Sequence, residues 1–139
     1  MFRRPLTLAI LALALAFTRC AIAADLTDHW WIESESGWGL SVTQQEEIAF
    51  VVIFVYGPNG QPLWLTSTTT RYGTDMAGNP GFAGALYATS GPPQGAPFDP
   101  TKVNAAPVGN LSLQATGPVT ATLEHTYNNV TIRKNVRRF

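Results

Sequence analysis

The chain has 139 residues, with nine Lys and Arg balanced against nine Asp and Glu, and a single cysteine, Cys20. That length supplies the core of one domain and not of two. The balanced charge gives no basic footprint for nucleic acid, and one cysteine excludes an intrachain disulfide framework or a thiolate metal cluster.

Arg3 and Arg4 precede an unbroken apolar run from Leu6 to Phe17, and Ala21-Ile22-Ala23 supplies small residues before Ala24 and Asp25. This reads as a secretory signal peptide over residues 1–23. The run is shorter than the ~20 apolar residues a bilayer-spanning helix needs, and no second run of that length follows. The expectation is an exported protein, periplasmic or extracellular, with one domain over 25–139 and no transmembrane segment in the mature chain. Arg19 stands before Cys20 where lipoprotein processing wants a small residue, which argues against acylation there. Without residues 1–23, the basic side chains are Arg71, Lys102, Arg133, Lys134, Arg137 and Arg138, and all nine acidic ones remain, a net charge of about −3.

From residue 29 onward the signals are β. Short β-branched and aromatic runs alternate with Gly, Pro and Asn clusters, and apolar residues do not recur at helical spacing. Strands are predicted near 29–33, 38–45, 47–56, 62–70, 82–90, 109–116, 119–126 and 130–138. Gly57-Pro58-Asn59-Gly60 predicts a tight hairpin, with Pro fixing φ and both Asn59 and Gly60 accepting φ > 0. Asn128-Asn129 predicts a two-residue hairpin that sets Thr120–Thr126 against Val130–Val136. Residues 73–81 read as a flexible hairpin loop. The stretch from Gly91 to Pro107 is rich in proline, which cannot donate to a ladder, so it is expected to be a structured crossover pinned to the core by Phe98.

The run Ile48–Tyr56 is apolar on both faces, whereas a half-solvated strand alternates. With Ala49, Val51, Ile53 and Val55 as the outward row, strand 48–56 would become a contact for a homodimer or a protein partner. An outer-membrane barrel is excluded by the row counted back from Phe139, namely Arg137, Asn135, Arg133 and Thr131, which would put charge in lipid at a cost of a few kcal/mol each.

No catalytic constellation emerges, so an enzyme is not expected. Ser34 and Ser36 lack the Gly-x-Ser-x-Gly frame. Glu33 and Glu35 are spaced to share a strand face, but a carboxylate pair of this kind is more often solvated rim charge than acid–base machinery. His29 and His125 have no metal-ligand spacing, and no metal or cofactor is expected.

The aromatic cluster is different. All four tryptophans lie between residues 29 and 66, and Trp38 sits between Gly37 and Gly39. Adjacent Trp30 and Trp31 must point to opposite faces if extended. Aromatics beside glycines suit either a filled core or the mouth of a site for a small apolar or carbohydrate ligand. The candidate binding residues are Trp30, Trp38, Trp64, Tyr56 and Tyr87, with Glu33 and Glu35 at the rim.

The ordered motifs Glu35-Ser36-Gly37-Trp38-Gly39-Leu40, Phe54-Val55-Tyr56, Gly60-Gln61-Pro62-Leu63-Trp64-Leu65, Gly91-Pro92-Pro93 and Phe98-Asp99-Pro100 span nearly the whole mature chain. Taken together, the chain resembles a family of secreted proteobacterial β-domains of unknown function. It departs from the family pattern at Glu46-Glu47 and at Asn128-Asn129, both turn positions. The resemblance implies export and a β fold, and brings no catalytic residues with it. The predicted fold is a single all-β domain of about eight antiparallel strands, an up-and-down barrel of the avidin or lipocalin kind, with a β-sandwich as the alternative.

Overall fold

The computed structural model describes residues 24–139. The expected signal peptide and Cys20 lie outside the described residues. Eight strands follow one another: β1 (Asp28–Trp31), β2 (Gly39–Gln45), β3 (Ile48–Tyr56), β4 (Pro62–Thr74), β5 (Pro80–Ser90), β6 (Asn104–Ala115), β7 (Thr120–Tyr127) and β8 (Val130–Arg138). Each pairs antiparallel with the next, and β8 returns to β1, so the sheet closes into an up-and-down barrel and not a sandwich. Beyond the strands, the described residues form two short 3-10 turns, Glu33–Glu35 and Pro100–Lys102.

The turns carry the chemistry that their residues suggest. Asn128 and Asn129 adopt φ of 48° and 64°, so the β7–β8 loop has two residues and sets Tyr127 opposite Val130. At the β3–β4 hairpin only Gly60 is left-handed, at φ 74°. Asn59 keeps negative φ and instead accepts from the Gln61 amide through Oδ1, which corrects the expectation of two left-handed residues. The loop at 75–79 is tied down, since the Asp75 carboxylate accepts from the Ala77 and Asn79 amides and from the Asn79 side chain.

Two further expectations are corrected. Phe98 is 75% exposed and pins nothing to the core. Strand β6 begins at Asn104, earlier than its prolines suggest, because Pro107 sits at a β-bulge where the pairing with β5 shifts between Leu86 and Tyr87 and a ladder donor is dispensable.

Strand β3 is apolar on both sides, and its neighbours decide which side is interior. Directly opposed residues of an antiparallel pair project to the same face. Val51 lies opposite Val42, and Ile53 lies opposite Leu40 on one side and Leu65 on the other, so three apolar rows fall in phase. Ala49, Val51 and Ile53 are fully buried in the barrel, which overturns the outward placement considered for that row. The exposed row is the other one, with Ile48, Phe50, Phe54 and Tyr56 on the outer wall. Phe82, Leu86, Leu111, Leu113 and Leu123 complete the interior. Two buried hydroxyls among them are satisfied by carbonyls, Ser67 donating to Ala85 and Thr69 to Ala49, each at 2.7 Å. On β8 the outward row Thr131, Arg133, Asn135 and Arg137 is polar and exposed, and pairs across to β7 through Arg133 with Glu124 and Thr131 with Thr126.

The barrel has one closed and one open end. At the closed end the segment before β1 crosses the opening: Leu26 is buried, its amide donates to Gln44 Oε1, and its carbonyl accepts from Trp30 Nε1 at 3.0 Å. Arg138 lies over the Trp30 ring, 4.8 Å from its centroid, and donates to Asp28 and to the carbonyls of Asp25 and Thr27. Trp31 points the other way and packs on Phe139 at 5.0 Å.

Candidate functional site

At the opposite end, where the β1–β2, β3–β4, β5–β6 and β7–β8 connections lie, the inward rows run out into solvent. Along β8, Val136 is 2% exposed, Ile132 39% and Val130 60%, although all three are apolar and face the barrel axis. Together with Val55, Leu63 and Leu65 across the barrel, and with Trp38 and Tyr127, they form an apolar cup. Tyr56 and Pro58 of the β3–β4 hairpin form its lip.

One side of the cup is built by a missing strand. Strand β1 stops at Trp31 and pairs with β8 only at Trp30–Arg138 and Trp31–Arg137. On the side of β8 away from β7, the place of β1 is then taken by the irregular segment from Ile32 to Trp38. Gly37, at φ 109°, allows the backbone to reverse there before β2. This brings the Trp38 indole over the cup, where its Nε1 donates to Glu35 Oε2 at 3.0 Å. Glu35 in turn accepts from Lys134 at 2.8 and 2.9 Å. Lys134 shares the inward parity of Ile132 and Val136, yet its ammonium is carried to the rim to meet this carboxylate. The bonds from Lys134 and then Trp38 hold the Glu35 carboxyl below its ordinary value.

His125 forms the floor. It lies opposite Leu111 and Ile132, next in the inward row to Leu123, and is 5% exposed. Its Nδ1 is buried and has no hydrogen-bond partner among the described residues. Burial pushes its pKa below the ordinary histidine value, so the ring is neutral at pH 7.

Of the residues singled out in the sequence, Trp38, Tyr56 and Glu35 come together at the cup. Trp30 does not: it fills the core beside the closed end. Trp64 is 62% exposed on the outer wall, edge-on to Phe54 at 5.9 Å, and Tyr87, opposite Thr66, also faces outward. Glu33 stands outside the cup, 3.8 Å from Arg137. The residues passed over are Leu63, Leu65, His125, Tyr127, Ile132 and Lys134. Their signal was parity, since His125 and Tyr127 continue the every-other-residue row of Ala121 and Leu123. Among the described residues, no group of His, Cys, Asp and Glu is placed to hold a metal ion, and no helix is long and apolar enough to cross a membrane.

Fold and site define an eight-stranded up-and-down barrel, sealed at one end and open at the other through an apolar cup. Comparison of the chain with protein-family models, with curated proteins and with solved structures finds no match in any of the three.

Proposed function

We propose that this is an exported, non-catalytic binding module that takes a small, largely apolar ligand in the open end of its barrel. The observation that carries the reading is the exposure of inward-facing apolar side chains, Ile132 and Val130, beside a tryptophan held at the rim by a hydrogen bond. Leaving such surface wet forgoes about 25 cal/mol for each Å², and concave apolar sites with a few fixed polar groups are where small molecules bind. Export is supported by the Arg3-Arg4 start, the apolar run to Phe17 and the small residues before Ala24. The test is a screen of lipids, apolar metabolites and sugars by tryptophan emission, repeated with Trp38→Ala and Ile132→Asp. Binding in the micromolar range is expected for a ligand this small, lost in both folded variants. Binding that survives both substitutions places the ligand elsewhere.

A second reading has its own support. Ile48, Phe50, Phe54, Tyr56 and Trp64 form an exposed apolar stripe on the outer wall of β3 and β4, and a contiguous stripe of this kind suits contact with a protein or a second copy. Concentration-dependent sedimentation that Phe50→Thr with Phe54→Thr abolishes would favour it.

A further inference from the structure

The exposed stripe on the outer wall has a shape and a chemistry that select its partner. We propose that it is the interface with a second copy of this chain, the two copies related by a two-fold axis through Val52. The proposal rests on the stripe being a protein contact.

Three observations lead to it. First, the stripe is symmetric along its own length. Strand β3 presents Ile48, Phe50, Val52, Phe54 and Tyr56 outward, so bulky side chains stand on both sides of a half-buried valine. Residues directly opposite one another share a face, which sets Ser41 and Thr66 beside Val52 on the neighbouring strands. A waist of small side chains therefore crosses the patch between Phe50 and Phe54. An arrangement that reads alike from both ends matches itself under a two-fold rotation, which lays the phenylalanine pair of one copy on the same pair of the other.

Second, the face is uncharged. Over β2, β3 and β4 the outward residues run from Gln45, Ile48 and Thr70 at one end to Tyr56 and Pro62 at the other, and none of them carries a charge. A different protein is commonly selected by complementary charge, and this face offers none to read. Two copies of a domain with a net charge of about −3 repel least where neither is charged.

Third, the area is that of a weak dimer. Phe50, Phe54, Tyr56 and Trp64 are between 40% and 62% exposed, which at about 200 Å² for each aromatic side chain leaves roughly 400 Å² open. One side of a standard interface covers about 800 Å², and Ile48 with the exposed Thr43, Thr68 and Thr70 extend the face toward that figure. Trp64 and Phe54 already hold each other edge-on, so association orders them little further.

The test is sedimentation equilibrium with charge complementation, Cys20→Ser being present in every protein so that no disulfide contributes. The wild type should pass from monomer to dimer across the micromolar range. Over the same range Trp64 should become shielded from acrylamide, its emission being the part that Trp64→Phe removes. Phe50→Lys, Phe50→Glu and Phe54→Glu should each weaken association about a hundredfold or more, because each puts two unpaired charges into the contact. Equimolar Phe50→Lys and Phe54→Glu should restore the dimer where the two β3 strands run antiparallel, and Phe50→Lys with Phe50→Glu where they run parallel. In either case one lysine meets one glutamate across the axis. Circular dichroism checks that the variants are folded; should any fail, the concentration-dependent shielding of Trp64 in the wild type decides alone.

A dimer that the single variants break and neither mixture restores overturns the axis through Val52. Single variants that still dimerise put the contact elsewhere and overturn the proposal together with the stripe. A wild type that stays monomeric with Trp64 open to acrylamide overturns the second copy and leaves the stripe to a different protein. A monomer with Trp64 shielded removes the stripe as a contact altogether.

Discussion

Glu35 and Lys134, 99 residues apart in the chain, meet through both carboxylate oxygens at 2.8 and 2.9 Å, across the stretch of barrel wall where β8 is paired with β7 but has no β1 partner on its other side. The pair joins an irregular turn to an inward-facing strand position. The same carboxylate carries Trp38, so one contact sets both the wall and the rim.

Removing either partner should therefore loosen Trp38. In Glu35→Gln and in Lys134→Met, acrylamide should reach Trp38 more readily than in the wild type, with little change in melting temperature because both groups are partly solvated. The wild type should show the same loosening in acid. Because the folded carboxyl titrates below its free value of 4.5, the clamp is complete above that pH and fails as pH falls through the lower folded value. Trp38 emission that is flat through this range would show that Glu35 does not hold the indole.

His125 contributes a pH dependence of opposite origin. Its folded pKa lies below 6.5, so the unfolded chain binds a proton that the folded barrel refuses in the interval below that value. Stability should drop as pH falls from 6.5 toward the folded pKa, and His125→Leu should remove that slope. Urea titrations of both proteins at pH 7.5 and 5.5 measure it.

The inward and outward rows of β3 predict opposite responses. Val51→Lys places an unpaired charge inside the barrel and should cost about 3–5 kcal/mol, enough to unfold a marginal domain. Phe50→Thr with Phe54→Thr, on the exposed row, should leave a folded barrel. Circular dichroism melts distinguish the two outcomes.

At the hairpins, Gly60→Val forces a β-branched residue into φ 74° and should destabilise by about 1 kcal/mol or more. Asn128→Pro should cost about 2 kcal/mol, since the ring cannot reach φ 48° and the amide that donates to the Val108 carbonyl is lost. Denaturant midpoints report both.

Much of the barrel was legible in the chain because turn residues mark its corners. Asn128-Asn129 and Pro58-Asn59-Gly60 specify hairpins locally, and local hairpins in series leave few topologies other than a meander. Residues of β3 were harder, because a strand apolar on both faces carries no parity of its own. Its inward side is set by Leu40, Val42 and Leu65, which lie on other strands. The site suffered from the same gap. Trp64 and Tyr87 looked like binding aromatics by type, yet alternation puts them on the wall opposite to Leu65 and Leu86. The spacing of His125 speaks only against a metal site, whereas its place at the cup follows from the apolar row it interrupts. The Glu35–Lys134 pair lies beyond any sequence window, since it depends on β1 ending early.

The short seam also bears on the order in which the molecule assembles. Every pairing from β2 to β8 joins neighbours in the chain, so a ribbon of hairpins can zip without closing a long loop. The contacts that close the ring, those of Arg138 with Asp28 and Trp30 among them, bridge some 110 residues, and their loop-closure entropy is repaid last. A contact that forms after the rate-limiting step guards against opening and does not hasten folding. In a chevron plot, Arg138→Leu should steepen nothing and lift only the unfolding arm, so this arginine helps to set how long the closed ring lasts.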